Sequence, residues 1–212
     1  MEKFRKQHGE ILVKQVADAL EKRNFEAYCT QNRQQAKELA LSLIPNGASV
    51  AVGGSVTLNE TGLLDAIRSD EYNFIDRYNP PEGKTTEDVF KESMTCDVYL
   101  TSSNAVTRDG RLVNIDGTGN RVSAMLYGPK KVVVIVGINK ICEDIDSAID
   151  RIKNYAAPVN AMRLGVDTPC AKTGRCMDCS SPQRICNMTA VMTGCRPKGR
   201  VAVIIVNEEL GF

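Results

Sequence analysis

A chain of 212 residues with 42% apolar side chains can bury one sizeable core, enough for one domain with a small appendage. Its 27 basic and 26 acidic groups leave a formal net charge of +1, so no one-signed field attracts nucleic acid or an anionic membrane, and neither partner is expected. There is no Trp and one His, His8 on a surface-type helix, which excludes Ser–His triads and His-rich metal sites and leaves acid–base work to Asp, Glu, Lys, Tyr or Cys.

The opening MEKFRKQHGEILVKQ lacks the apolar segment and cleavage site of a signal peptide. The longest apolar runs, Val132 to Val136 and Val201 to Val206, are strand-length, so a cytoplasmic protein without membrane insertion is expected. Phe4, Ile11, Leu12, Val16 and Leu20 recur at helical spacing and predict an amphipathic helix over 3–23, followed by a strand at 25–29. Asn32 with Gln35 opens a helix whose buried face is Ala36, Leu39, Ala40 and Leu43, and Pro45-Asn46-Gly47 ends it. A strand at 48–52 runs into Gly53-Gly54-Ser55. Thr57 and Glu60 then read as a capping box that opens a helix to about residue 68.

A short strand holds Phe74 and Ile75, residues 76–84 form a loop, and Thr85 caps a helix to about residue 95. A strand at 97–101 precedes two extended segments, 105–107 and 111–115, joined as a hairpin by Arg108-Asp109-Gly110. After the glycine-rich loop 116–120 come a short helix at 121–127 and the β-branched run 131–137, which suits a strand buried on both faces. A helix over 142–156 ends before Pro158, the cysteine-rich segment 167–199 shows little periodicity, and 201–206 is a last strand. Alternating strands and helices imply one α/β domain over 1–212 with a largely parallel, doubly covered sheet and a locally antiparallel part.

Of eight cysteines, Cys29, Cys96 and Cys142 fall in strand or helix patterns and read as small core residues. Cys170, Cys176, Cys179 and Cys186 have the spacing C-x5-C-x2-C-x6-C, in which the C-x2-C unit brings two thiolates to one centre from a single turn. Four thiolates suit a tetrahedral zinc ion or a 4Fe–4S cluster, and Lys172, Arg175 and Arg184 offset the charge of either. A disulfide scaffold is the alternative, but it belongs to small secreted proteins. Cys195 is a spare thiol.

The loop Gly53-Gly54-Ser55-Val56-Thr57, between a strand and a helix, offers backbone N–H groups to a small anionic metabolite, though it matches neither dinucleotide nor P-loop fingerprints. The duller account is a tight turn. Glu60 beside it is a candidate catalytic carboxylate as well as a cap residue. Asn104, followed by Asp116, Gly117, Thr118, Gly119, Asn120 and Arg121, concentrates groups suited to hydrogen-bonding a sugar or hydroxy acid. In that set Arg121 is the bidentate anion holder and Asp116 a candidate base or nucleophile. Lys140 is a weaker candidate, a residue type most often at the surface in such a place.

Three stretches together carry a resemblance: GGSVTLNETGLLDAI, DVYLTSSNAVTRDGRLVNIDGTGNRVSAMLYGPKKVVVIVGINKI, and CAKTGRCMDCSSPQRICN with the closing VAVIIVNEELGF. From about residue 10 to 212 the chain resembles the LUD family of lactate-utilisation-type proteins. The resemblance implies a NagB/RpiA/CoA-transferase-like, Rossmann-related sandwich with substrate over glycine loops at strand ends, where Gly53 to Thr57, Glu60 and the loop 116–121 fall. It also implies an association with oxidation of L-lactate to pyruvate through iron–sulfur proteins, and it favours a 4Fe–4S cluster over zinc on the four cysteines. The cysteine tail departs from the better-known lactate-system subunit, which lacks a cluster.

Three functions follow as expectations. The first is an iron–sulfur protein passing electrons between a redox partner protein and a small hydroxy or keto acid. The second is a non-redox isomerase or acyl/CoA-transferase-like enzyme using Glu60 or Asp116, with a structural metal. The third is a metal- or redox-responsive regulator. A homodimer is the default assembly.

Overall fold

The computed structural model describes residues 2–212. Six strands, β1 (Glu26–Thr30), β2 (Ser49–Val52), β3 (Asn73–Ile75), β4 (Val98–Thr101), β7 (Lys131–Gly137) and β10 (Val201–Val206), form a wholly parallel sheet in the order β1-β10-β7-β4-β2-β3. Four more, β5 (Ala105–Thr107), β6 (Leu112–Asp116), β8 (Ile141–Cys142) and β9 (Met188–Met192), make a second sheet in the order β8-β5-β6-β9. The hairpin β5–β6 is antiparallel as its turn sequence requires, and β9 adds antiparallel to β6.

Alternation along the central strands sorts side chains into two cores. Val132, Val134 and Val136 of β7, with Val203 and Ile205 of β10, face Val13, Val16 and Leu20 of helix α1 (Glu2–Glu21). Val133 and Ile135, with Ile204 and Val206, face the other way onto α2 (Arg33–Ser42), α3 (Val56–Glu60) and α4 (Leu63–Ala66). The small sheet shares Val106, Leu112 and Met192 with the α1-side core. Its other face, with Ala105, Val113, Ile115 and Cys142, packs against α7 (Ile145–Arg151) and Ile152.

Several local readings are corrected. The cap before α3 is Ser55, whose hydroxyl accepts the Leu58 N–H at 3.3 Å, whereas Thr57 is buried within the helix. Gly62, at φ 67°, breaks the expected long helix into α3 and α4. Helix α5 (Thr86–Ser93) keeps its Thr85–Asp88 capping box. Pro158 does not end the next helical run. A π-helical turn, Ile152–Ala156, carries α7 into α8 (Ala157–Leu164), and the wide turn sits just where a proline lacking its N–H would otherwise break the ladder. The cysteine-rich segment holds α9 (Pro169–Thr173) and β9, which it lacked in the sequence pattern. Cys96 and Cys142 are buried as expected, but Cys29 is exposed. Among the described residues no helix is long and apolar enough to cross a membrane.

Strand β2 is flanked by β3 and β4, the two strands that follow it in the chain, so the winding direction reverses there. Crevices at the carboxyl ends of strands beside such a reversal are the usual ligand sites of open α/β sheets.

Candidate functional site

Loops leaving β2, β4 and β7 meet over that reversal and enclose a cleft of about 340 Å3. Its floor rests on a buried polar knot around Arg121, the second residue of α6 (Asn120–Leu126). Arg121 Nε and Nη2 donate to Asp116 Oδ1 at 3.0 and 2.5 Å, Nη1 donates to Asn114 Oδ1 at 2.6 Å and the Ser102 carbonyl at 3.0 Å, and Nη2 also reaches Asn104 Oδ1 at 2.8 Å. All five guanidinium donors are therefore spent within the protein. The other oxygen of Asp116 accepts the Val122 N–H at 2.9 Å, satisfying an orphan donor of the first turn of α6. Gly53 belongs to the same knot. A Cβ there would lie 2.8 Å from Thr101 Oγ1 and 3.0 Å from Arg121 Cγ, so only glycine lets the arginine pass.

Gly54, Ser55, Thr57, Asn104, Asp116, Gly117, Thr118, Asn120 and Arg121 all line the cleft, so two loops distant in sequence are brought together; Gly53 and Gly119 are not in the lining. Glu60 is not in the lining. Its carboxylate accepts the Gly211 N–H at 2.7 Å and ties the end of α3 to the C-terminal segment.

Lys140 is not at the surface. It is 4% exposed, and its Nζ donates to Thr57 Oγ1 at 2.9 Å and Ser102 Oγ at 3.0 Å where all three side chains meet the cleft. Burial, aided by the positive charges of Arg151 and Arg121 and opposed by Glu60, brings its pKa down to about 7. Arg77, just past β3, also lines the cleft beside Gly54. Its guanidinium stacks on Phe90 at 4.5 Å and forms no ion pair among the described residues. Neither Arg77 nor Arg163, another lining cation, stands out in the sequence. Only the position of Arg77 directly after a strand could have marked it.

The cysteine segment is one wall of this cleft, through Ile185 and Cys186. All eight cysteines are free thiols. Cys176 Sγ accepts the N–H of Asp178 at 3.4 Å, and Asp178 takes a left-handed φ of 44°, so the C-x2-C unit is folded as a tight turn with backbone N–H directed at sulfur. Arg184 clasps the loop, donating to the Cys179 carbonyl at 2.5 Å, the Cys186 carbonyl at 3.2 Å and Asp178 Oδ1 at 3.2 Å. Burial pushes the Cys186 thiol up, and the Arg184 guanidinium beside it pulls it down. Even so, among the described residues no three Cys, His, Asp or Glu side chains converge closely enough to hold a metal ion. Cys195 lies apart in the α1-side core, its thiol donating to the Pro197 carbonyl.

A family model described as LUD domain matches residues 13–206. No curated protein matches. Among solved structures, a DUF162 family protein from Deinococcus radiodurans is 12% identical, with 93% of this chain and 97% of that chain covered at a TM-score of 0.51. The beta subunit of eIF2B from Chaetomium thermophilum is 16% identical over 54% of this chain and 44% of that one, at a TM-score of 0.38. Its delta counterpart is 17% identical over 55% and 50%, at 0.36. The first shares the fold over nearly its whole length; the other two are too distant to argue from. The strand order and the reversal at β2 make this the largely parallel, doubly covered α/β architecture with a locally antiparallel part that the sequence pattern implied.

Proposed function

The chain belongs to the LUD domain family, and from that premise we propose that its cleft binds a small 2-hydroxy or 2-oxo acid and links it to electron transfer through a 4Fe–4S cluster on Cys170, Cys176, Cys179 and Cys186. The observation that carries this reading is the shared wall: Cys186 of the cysteine loop lines the same cleft as Lys140 and Arg77. Four free thiols, a C-x2-C turn with an N–H aimed at sulfur, and an arginine clasp are the donor chemistry that such a centre uses.

A cluster held by Cys170, Cys176, Cys179 and Cys186 would supply one-electron transfer beside the cleft. The chain's own residues set the rest. Arg77 has its guanidinium free for a carboxylate. Lys140 places an amine that is partly uncharged at neutral pH at the cleft surface. Ile152, Ala156 and Leu164 add apolar surface to the lining, beside the polar Asn160 and Arg163. The non-redox alternative needs Glu60 or Asp116 free to react, and each is already engaged with the protein's own N–H groups.

Protein purified without oxygen should carry about four iron and four sulfide per chain and absorb in the visible. Titration calorimetry on the same sample should show lactate or pyruvate binding. Stoichiometric zinc without iron, or neither metal, would sink the redox assignment.

A further inference from the structure

Among the described residues Lys140 is the only buried lysine, and nothing about its surroundings neutralises it in the ordinary way. No carboxylate lies within ion-pair distance; its Nζ is held by two hydroxyls, and the cations Arg151 and Arg121 bear on it. The Thr57 hydroxyl donates to the Leu210 carbonyl at 3.4 Å and the Ser102 hydroxyl to the Ser103 carbonyl at 3.2 Å, so each presents oxygen lone pairs to the amine. Two of the three positions on nitrogen are thereby fixed, and the third is left for the cleft that Lys140 lines. Lysines desolvated beside other cations are the ones that serve as nucleophiles toward carbonyl groups. Arg77 stands over Gly54, three residues along the loop from Thr57.

We infer that Lys140 is a nucleophilic amine that forms an imine with the C2 carbonyl of a small 2-oxo acid whose carboxylate is received by Arg77. The inference rests on the reading of the cleft as a small-acid site. The Nζ lone pair bonds to C2, and the carbonyl oxygen takes up a proton to give a carbinolamine. The C2–O bond then breaks, and the oxygen leaves as water with the two hydrogens that nitrogen gives up. No oxidant or reductant is consumed. Ser102 and Thr57, already bonded to Nζ, are placed to pass those protons.

The test treats the intact protein with pyruvate and borohydride and reads the product by mass spectrometry, while calorimetry without borohydride measures pyruvate binding. One adduct is expected, with the mass of pyruvate less water plus two hydrogens, mapping to Lys140. Its formation should be half-maximal near pH 7, where the amine loses its proton. Lys140→Arg should give no adduct, and Arg77→Gln should need about tenfold more pyruvate for the same labelling. The wild-type peptide map decides the matter even if Lys140→Arg fails to fold. Saturable pyruvate binding without an adduct, or label spread evenly over surface lysines, overturns the imine and leaves the small-acid cleft standing. Absence of any pyruvate or lactate binding overturns both.

Discussion

At Lys140 the cost of burying an amine appears directly as a pH dependence of stability. Its pKa in the folded chain is about 7 against an ordinary 10.5. Between those values the unfolded chain binds a proton that the folded chain does not, so stability rises with pH across that window. Lys140→Met removes the effect. The variant should exceed wild type in urea stability most at pH 6, with the gap narrowing by on the order of 3–5 kcal/mol by pH 10. Urea titrations of both proteins at matched pH check this, and the other titrating groups cancel in the difference. Arg121 has the opposite character. It is a buried cation fully paired, and Arg121→Ala should cost about 3–5 kcal/mol by leaving Asp116 charged and alone. Residue chemistry alone marked Arg121 as an anion holder because guanidinium suits that work. The partners that consume its donors, Ser102 and Asn104 from the loop after β4 and Asn114 from within β6, are joined by no spacing rule. Lys140 is inconspicuous in the sequence for a related reason: lysine is an exposed residue type, and only the closure of three loops buries this one.

Elements were legible wherever a local signal set them. The β-branched run at 131–137, the Asn32 and Thr85 caps and the Arg108-Asp109-Gly110 turn each place an element within a residue or two. Boundaries failed where tertiary contact overrode the local cue. Thr57 looks like a cap, yet its hydroxyl is drawn inward to Lys140, and Ser55 takes the capping role. Strand β9 has no hydrophobic alternation to announce it because it is an edge of the small sheet, with Met188 exposed and Met192 buried. The cysteine loop before it has little core of its own, and Arg184 supplies its cohesion by bonding the Cys179 and Cys186 carbonyls and Asp178. With the proposed cluster on that loop, Arg184→Gln should lower iron content by half or more and speed proteolysis within 174–187. Global stability should move by less than about 1 kcal/mol, since the residue lies outside the main cores. Iron analysis, limited trypsin digestion and urea unfolding on one sample separate these effects.

Across the whole molecule the last strand ties the fold together. Strand β10 lies between β1 near the start of the chain and β7 in the middle, and every one of its residues is buried. It contributes to both cores at once, Val203 and Ile205 toward α1 and Ile204 and Val206 toward α2. The cleft depends on this strand indirectly, because β7 holds Lys140 beyond its end and β10 fixes β7 over six residue pairs. The sequence made the strand plain, whereas its central place is a matter of topology that apolar periodicity does not encode. Ile204→Ala should cost about 2–5 kcal/mol, because the lost methylenes leave a cavity between sheet and α2 that neighbours on a parallel sheet cannot collapse to fill. Ile11→Ala, on the 53% exposed flank of α1, removes the same atoms from a wet surface and should stay within about 0.5 kcal/mol. Urea unfolding of the pair measures the difference. Equal losses would mean that the interior of the sheet is far looser than its complete burial of β10 requires.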